Sequence, residues 1–388
     1  MRVPEIEVDL WSEAVLRDPY PTYARLRALG RVLFDSERNA YVLAGYDEVR
    51  LALQDWETFS SADGVAVNDR ANKMGGRGIL TADPPVHDAR RAVLGAPLVS
   101  GEIAHHREFL VERANALVDD LVGRGSFDVV TELAQRYSVG VVGDLIGLPE
   151  AGREHLIDWA TAAFDTLGPD NPRTDAAWPG LAALFGYAAS VSDPDRLPPG
   201  SWGARIHEAG ERGVVDREDR PGLMMALLWA GMDTTANSIG SAVSLFADHP
   251  DQWDLLRSDR SLLASATNEI LRIEPPVQRF SRSTTREVEI GGHTLPSGAR
   301  VVLLFGSANR DERRFPEPER FDVTRNPTDH LAFGRGIHRC VGAGLAQEEI
   351  RAVLDRLADR VTRFEIVDRA WRCNNSLHGL ERLVVSVA

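Results

Sequence analysis

The sequence predicts a mainly α-helical protein with a small β region that is segregated from the helices. Two observations lead to this fold class. Most segments repeat their apolar residues at helical spacing. The strand-like pieces are short, and they lie near the start of the chain and in its last third. Because a few grouped strands form a side layer beside a helical body, we expect helices to dominate the core.

The bulk properties indicate one soluble domain. The chain of 388 residues contains no linker rich in Pro, Gly or Ser, so residues 1–388 are expected to form a single domain. Lys and Arg total 44 and Asp and Glu total 58, and this net charge of −14 disfavours binding to nucleic acid or to anionic membranes. The acidic N-terminus lacks the apolar run of a signal peptide or a membrane anchor. The two cysteines suit a reducing compartment, so we expect a cytoplasmic protein, and a monomer.

The N-terminal part of the chain predicts one helix and one hairpin. Residues 19–29 have the spacing of an amphipathic helix. Two short apolar runs that flank a polar turn follow, which predicts a β-hairpin over residues 31–35 and 40–43 with its turn at 37–39. The later predicted strands are residues 288–290, 293–295, 301–304 and a tail from Phe364 onward.

A helix is predicted to begin near two prolines. Asp83 precedes Pro84 and Pro85, and proline fits the first positions of a helix. His87 and Arg91 are four residues apart, so they share one helix face and could hold one anionic group together. Such a pair is more often a solvated surface pair when nothing else supports it.

Residues 221–247 form a long apolar stretch whose only ionisable side chain is Asp233. A continuous helix of this length would measure about 40 Å. Asp233, Thr234 and Thr235 stand at its middle, and its ends lack aromatic or cationic belts. Both features favour a buried central helix over a membrane span. Because burial of a carboxylate is costly, Asp233 is expected to have partners or a function.

A glycine-rich segment surrounds Cys340. Residues 333–342 read F-G-x-G-x-H-x-C-x-G, so Phe333 supplies an aromatic wall and Gly334 is one of the glycines that let the backbone turn sharply beside a flat partner. His338 and Arg339 are potential cations beside the sulfur, so the thiol is expected to ionise easily and to ligate a metal. A buried structural cysteine would leave the glycines and His338 unexplained.

This pattern resembles the cysteine loop of the cytochrome P450 superfamily, in its soluble bacterial class. The resemblance implies the cytochrome P450 fold, with a long central distal helix and a loop that carries the cysteine ligand. It makes Cys340 the proximal ligand of the iron of haem b. Further haem-binding residues that it implies are Phe333, Gly334 and His338 in the loop, and the propionate-binding residues His87, Arg91 and Arg282. It also implies a structural network of Glu269, Arg272 and Arg320 that holds this loop.

The resemblance further implies a monooxygenase that uses O2. Asp233 and Thr234 match the acid-alcohol pair that relays protons in the superfamily. Electrons from NAD(P)H would arrive through a [2Fe-2S] ferredoxin and its reductase, because the sequence shows no flavin or nicotinamide site. A peroxide-driven haem-thiolate enzyme and a haem-thiolate sensor remain as alternatives. Neither would need this acid-alcohol pair.

Three stretches, residues 202–207, 303–311 and 374–381, are similar to bacterial members that hydroxylate or O-demethylate para-substituted benzoic acids. The resemblance implies an apolar pocket of Ile79, Leu80, Phe164, Leu167, Ala230, Val277, Phe280 and Leu380. Residues that hold the carboxylate in that group are replaced here by Met225, Ala226 and Trp229. Arg77 is the candidate cation for a benzoate, or else a solvated loop residue. A neutral aryl ether and a larger secondary metabolite therefore stay open as substrates.

Overall fold

Helices make up most of the computed structural model, which describes residues 3–74 and 78–388. The α-helices are α1 (Glu13–Arg17), α2 (Tyr20–Leu29), α3 (Tyr46–Gln54), α4 (Asp69–Met74), α5 (Val86–Gly95), α6 (Ser100–Gly123), α7 (Arg136–Ile146), α8 (Leu156–Asp165), α9 (Pro172–Val191), α10 (Trp202–Glu211), α11 (Arg220–Gly231), α12 (Asp233–Asp248), α13 (Pro250–Ser258), α14 (Leu263–Ile273), α15 (Phe305–Ala308) and α16 (Ala343–Arg360). Shorter helical turns include Ala96–Leu98 and Gly336–His338, and a π-helix spans Val129–Gln135.

The strands form a side region, as predicted. They are β1 (Val32–Asp35), β2 (Ala40–Leu43), β3 (Phe59–Ser60), β4 (Ser126–Asp128), β5 (Arg279–Thr284), β6 (Val288–Ile290), β7 (His293–Leu295), β8 (Arg300–Leu304), β9 (Phe364–Trp371) and β10 (Leu380–Val387). Within the described residues they form sheets in the orders β1-β2-β8-β5-β3, β4-β10-β9 and β6-β7. Only the β2–β8 pair among these ladders is parallel.

The N-terminal predictions are confirmed. The predicted helix is α2, and the hairpin pairs Val32 with Leu43 and Asp35 with Ala40. Asn39 ends the turn with a positive φ of 49°, a conformation that asparagine tolerates better than most residues. The prolines at 84 and 85 lie just before α5 rather than inside its first turn, with Pro85 at the N-cap.

The main hydrophobic core lies around α12. α12 contacts α7, α14 and α16, and its side chains from Thr235 to Phe246 are almost all buried. α16 packs against α6 along the side of the body that carries the cysteine. Across residues 3–74 and 78–388, the structure has no helix with the length and apolar character that crossing a membrane requires.

The long apolar stretch is divided between α11 and α12 instead of forming one continuous helix. The division falls at Met232, where ψ is −61° and φ is −104°. Two side-chain hydroxyl groups donate hydrogen bonds to backbone carbonyl oxygens at this point. The Thr234 Oγ1 donates to the Ala230 oxygen over 2.7 Å, and the Ser138 Oγ donates to the Met232 oxygen over 3.0 Å. These hydroxyl bonds compete with the helical backbone ladder, which explains the irregularity.

Candidate active site

One cavity extends between the segment of residues 330–344, here called the cysteine loop, and the junction of α11 and α12. The cavity therefore brings Cys340 to the same space as the polar centre of the apolar stretch. Predicted site residues that line it are Ile79, Leu80, Arg91, Phe164, Ala230, Thr234, Val277, Phe280, Arg282, Phe333, Gly334, His338 and Cys340. We call the Cys340 wall the cysteine side and the α11–α12 wall the distal side.

Glycine conformation fixes the course of the cysteine loop. Gly334 and Gly336 have φ angles of 64° and 66°, which L side chains rarely adopt. A Cβ atom at Gly336 would lie 2.3 Å from the backbone oxygen of Leu53 in α3, so only glycine fits there. The Cys340 backbone N–H donates to the Phe333 oxygen over 2.8 Å and closes the loop. The loop thus presents the sulfur to the cavity just before α16 begins.

The electrostatics around Cys340 differ from the prediction. Its sulfur is accessible from the cavity, which is itself enclosed by protein. Burial raises the pKa of the Cys340 thiol above its ordinary value, although the backbone N–H groups of Gly342 and Ala343 and the charge of Arg339 lower it. The expectation of an easily ionised thiol is therefore wrong for the thiol by itself. A metal cation bound to the sulfur would supply the charge that favours the thiolate.

His338 is not a cation beside the sulfur. Burial, and then the nearby Arg282 guanidinium, lower the pKa of His338 to about 3, so its ring is neutral at pH 7. The His338 ring contacts the His87 ring at a centroid distance of 4.6 Å. His87 is buried behind His338 and does not line the cavity within the described residues. Its helical partner Arg91 does line the cavity.

The cysteine side of the cavity contains the guanidinium groups of Arg91 and Arg282. The buried Arg282 donates NH1 to the oxygen of its neighbour Ser281 over 2.8 Å, and burial lowers its pKa to about 10. Among described residues, the Nε2 atoms of His87 and His338 are buried without hydrogen-bond partners. A flat group with anionic substituents would supply acceptors for the N–H groups of Arg91 and Arg282. Together with the cavity-facing sulfur of Cys340, these donors fit a haem with its propionates.

A buried ion network holds the start of the cysteine loop. The side chains of Glu269 and Arg272 are fully buried and form two hydrogen bonds of 2.7 and 2.8 Å. Arg272 also donates to the Asn309 backbone oxygen over 3.0 Å. The Asn309 side-chain oxygen accepts from the Leu331 N–H over 2.6 Å, which connects the network to the loop.

The third arginine of this network is Arg325 rather than Arg320. Arg325 donates Nε to Glu269 Oε1 over 3.1 Å. The Arg320 side chain is 58% exposed and pairs with Glu317 and Asp322, while its backbone oxygen accepts from Arg272. The prediction for Arg320 was wrong because the chain between residues 316 and 325 turns back, with Glu317 at a positive φ of 47°. That turn directs the Arg320 side chain to solvent.

On the distal side, Thr234 and Asp233 face different surroundings. Thr234 lines the cavity, as do Thr235 and Ser238. Asp233 is 1% exposed and is directed toward α8, where Thr161 Oγ1 donates to its Oδ2 over 2.7 Å. Burial raises the pKa of Asp233, although Arg372, Thr161 and Asn237 oppose that shift. The hydroxyl and the acid are thus neighbours in sequence with separate hydrogen-bond partners.

Arg372 supplies the positive charge near Asp233. Its NH1 lies 3.4 Å from Asp233 Oδ1 and 2.9 Å from Thr161 Oγ1. Arg372 follows β9, 139 residues after Asp233 in sequence. The sequence does not indicate this partner, because no local pattern connects the two positions.

The substrate-pocket prediction needs two corrections. Leu167 and Leu380 do not line the cavity among the described residues. Leu167 belongs to the hydrophobic cluster behind Phe164, and Leu380 lies against Gly240 of α12 at the start of β10. The other predicted apolar residues do line it. Arg77 falls outside the described residues.

Two further residues line the cavity: Glu349, which was not predicted from the sequence, and Trp229, which was predicted only as a replacement at a substrate-binding position. Glu349 of α16 is buried, hydrogen-bonds Thr235 and leaves Oε1 without a partner among described residues; burial raises its pKa well above the ordinary value. Trp229 of α11 packs its ring against Phe164 at a centroid distance of 5.1 Å. The paired acids in A-Q-E-E and the aromatic residue next to Ala230 were the available signals.

Comparison with known proteins agrees with this geometry. The sequence profile of the family described as Cytochrome P450 matches residues 207–366. Cytochrome p450 CYP199A2 of Rhodopseudomonas palustris is 39% identical, and the similarity covers 99% of this chain and 95% of that protein. Cytochrome P450 monooxygenase PikC of Streptomyces venezuelae is 32% identical over 98% of this chain and 94% of its own length.

Solved structures show the same fold. The crystal structure of CalO2 superposes with a TM-score of 0.86 at 28% identity, and the match covers 98% of each chain. The predicted fold class and family are thereby confirmed. Because the similarity to named relatives extends over nearly the whole length, this chain belongs to the cytochrome P450 family and is a monooxygenase that uses haem b, O2 and electrons from redox partners.

Proposed function

We propose that this monooxygenase inserts one oxygen atom into a small aromatic substrate, by hydroxylation or O-demethylation of a para substituent. The observation that carries the proposal is the apolar part of the cavity. Phe164, Phe280 and Val277 line it together with Leu80 and Ala230. Apolar walls with few polar groups suit a small ring, and aromatic side chains pack well against one.

Cys340, Arg91 and Arg282 are proposed to hold the haem, Cys340 as the metal ligand and the arginines as partners of the propionates. His338 and the buried His87, whose rings contact each other, would lie along the same edge of the cofactor. The bound haem supplies the activation of O2, from which one atom enters the substrate and the other leaves as water. The residues of the cysteine side then act by binding and orientation.

Thr234 and Asp233 are proposed to move protons. The Thr234 hydroxyl borders the cavity, and its hydrogen bond to the Ala230 oxygen fixes its direction. Burial raises the pKa of Asp233, which favours its protonated form more than in a solvated carboxylate. Rotation of Asp233 away from Thr161 and Arg372 would bring its carboxyl group toward the cavity, where a proton is needed.

Electrons are proposed to come from NAD(P)H through a [2Fe-2S] ferredoxin and its reductase. Arg335 and Arg339 belong to the cysteine loop, and the side chain of Arg339 is exposed. Positive side chains there would attract an acidic carrier in spite of the net charge of −14. We further propose that the chain works as one domain of residues 1–388, as a monomer in the cytoplasm.

Formaldehyde release from 4-methoxyarenes tests the proposed function, because O-demethylation consumes O2 and two electrons and yields a phenol, formaldehyde and water. The assay contains the holoprotein, NADH, ferredoxin and reductase, with a steroid as a multi-ring comparison. We expect formaldehyde and O2 uptake in proportion. Turnover with peroxide alone would favour the peroxide-driven alternative. Oxidation of the steroid without any turnover of single rings would overturn the small-substrate assignment.

A further inference from the structure

Arg90 of α5 forms a buried ion pair with Asp219, the residue directly before α11. Its Nε donates to Asp219 Oδ2 over 3.1 Å, and its NH2 donates to Asp219 Oδ1 over 3.0 Å. Both side chains are almost fully buried. The third nitrogen, NH1, donates to the Gly78 backbone oxygen over 3.0 Å. One guanidinium group therefore connects three separate parts of the chain.

This ion pair lies behind the cavity wall. Neither Arg90 nor Asp219 lines the cavity among the described residues. Ile79 and Leu80 do line it, and they belong to a turn of residues 78–81 that lies outside any helix or strand. The course of such a turn depends on contacts with side chains, and the Arg90 guanidinium supplies one of them.

Leu80 is part of the apolar wall on which the proposed function depends. Leu80, Val277 and Phe280 pack against the hydrophobic cluster that includes Phe164. All four of these residues line the cavity. A shift of the Gly78 carbonyl group would move Leu80, two positions further along the chain. The space that a substrate ring would occupy would change its shape as a result.

The ion pair also connects the turn to α11. Asp219 is the N-cap residue of that helix, and Ala226 and Ala230 of the same helix line the cavity. Through Arg90, the turn of residues 78–81 is therefore held in position relative to another part of the lining.

The chemistry of the pair suits a positioning role. A guanidinium group presents its N–H donors in a rigid planar fork, so two bonds to one carboxylate also fix the direction of the third donor. A buried ion pair adds little net stability compared with apolar side chains of similar volume, because the desolvation of both charges is costly. Apolar side chains, however, have no donor that could hold the Gly78 carbonyl group.

We propose that Arg90 and Asp219 are positioning residues for substrate specificity. Their ion pair holds the turn of residues 78–81 relative to α11 and thereby sets the size of the ring that the apolar pocket accepts. Neither residue contacts the substrate in this proposal. The inference rests on the proposed function, since it takes the apolar part of the cavity as the substrate pocket.

Two neutral methoxyarenes of different size test the inference by spectral titration of the holoprotein. 4-Methylanisole has one ring and 2-methoxynaphthalene has two, and the measured quantity is the ratio of their Kd values. Arg90→Gln removes the paired bonds to Asp219, so the wall that contains Leu80 can move aside for the larger ring. We expect the ratio to shift roughly tenfold in favour of the naphthalene, the lower end of what one methylene group contributes in a fitted apolar pocket.

Two further variants accompany Arg90→Gln. Asp219→Asn keeps Arg90 and should shift the ratio in the same direction by a smaller factor, so the inference stays testable where Arg90→Gln yields little folded protein. Arg38→Gln is the matched control. The Arg38 side chain is also largely buried and pairs with Asp9 and Asp35, but none of these three residues lines the cavity in the described structure. That variant should keep the wild-type ratio.

A double substitution tests whether Arg90 acts through Leu80. Leu80→Ala removes the side chain that the turn positions and should by itself shift the ratio in favour of the naphthalene. Addition of Arg90→Gln to Leu80→Ala should then change the ratio by about twofold or less, because both substitutions act on the same wall. Two full shifts that add would mean that Arg90 acts elsewhere, and they would overturn the inference.

Two other results would overturn the inference and leave the proposed function intact, since 4-methoxyarenes could still be demethylated. One is a wild-type ratio in both Arg90→Gln and Asp219→Asn. The other is an equal shift in Arg38→Gln, which would mean that the ratio reports general destabilisation. Failure of the wild type to bind either ligand would remove the proposed function and this inference together.

Discussion

On the cysteine side of the cavity, backbone geometry and fixed charges define the site, whereas on the distal side a helix irregularity and burial define it. Gly336 fits against Leu53 with no room for a side chain, and Arg282 is held in place with donors directed inward. The distal side instead has Thr234 bonded to its own helix and Asp233 facing Thr161.

From this contrast we expect the cysteine side to bind the cofactor and the distal side to take part in proton movement. A rigid loop with guanidinium groups beside it is suited to holding one cofactor in one position. At the break between α11 and α12, Thr234 and Asp233 can exchange their present hydrogen bonds for others nearby. Proton movement requires such an exchange. Mutations on the two sides should therefore affect different measurements, and the following experiments examine that expectation.

The largest effect is expected for Cys340→Ala on the cysteine side. Loss of the sulfur should abolish the strongly red-shifted absorption band of the reduced carbonyl complex that thiolate ligation gives, and activity with it. Cys373→Ala is the control, because Cys373 lies outside the cavity lining in the described structure. Retention of the band in Cys340→Ala, or its loss in Cys373→Ala, would assign the ligand to the other sulfur.

Thr234→Ala examines the distal side. Productive turnover should fall by roughly 10² to 10⁴, the usual contribution of a general acid-base group, while NADH consumption continues and yields peroxide. The carbonyl band should not change, because the cysteine side is untouched. Thr234→Ser keeps the hydroxyl and should retain most of the coupling. Full coupling in Thr234→Ala would exclude the proposed proton role.

Arg272→Ala tests whether the network supports the cysteine side. Removal of one partner from a buried ion pair typically costs about 3–5 kcal/mol. Glu269 would keep Arg325 and the Asp322 backbone N–H. Chemical unfolding of the holoprotein measures the loss. Arg320→Ala is the matched control, with a change of about 0.5 kcal/mol or less because its side chain is 58% exposed. Equal destabilisation by both variants would contradict the assignment of Arg325 as the third member.

A pH-dependent effect on stability is expected for Asp165 at the end of α8. Burial raises its pKa from 3.8 to about 7, although the Asn375 N–H, Arg173 and Arg372 lower it and Asp233 raises it further. The folded protein therefore binds more protons than the unfolded chain between these values, and stability falls as pH rises from about 4 to 7. Asp165→Asn should match the wild type near pH 4 and exceed it at pH 8. An unfolding midpoint for the variant that falls equally with pH would show that other groups cause the loss.

Local sequence predicted the course of the cysteine loop, but not the charge of its side chains or the partners on the distal side. The glycines, Phe333 and Cys340 lie within ten residues, so their spacing alone predicts a loop of this kind. Arg282 and Arg91, which also line the cavity, were predicted from motifs of similar length. The third arginine of the network depends on the direction of the turn between residues 316 and 325. Residue spacing does not indicate that direction, so Arg325 was not predicted.

The distal partners depend on long-range packing. Asp233 was selected from its isolation in an apolar stretch, yet Thr161 and Arg372 reach it from α8 and from the end of β9. Leu380 was placed in the pocket by position, although the strand that it begins turns the side chain toward α12. Burial and strand orientation are set by the whole fold, so a motif cannot supply them.

The ion pair between Asp233 and Arg372 also has a consequence for biosynthesis. During translation α12 leaves the ribosome well before Arg372 is made, because 139 residues separate them. Until Arg372 is made, Asp233 at the junction of α11 and α12 lacks the guanidinium group that forms an ion pair with it in the folded protein. The distal wall is therefore completed only when β9 and the segment after it dock, so the surroundings of Asp233 depend on a part of the chain synthesised 139 residues later.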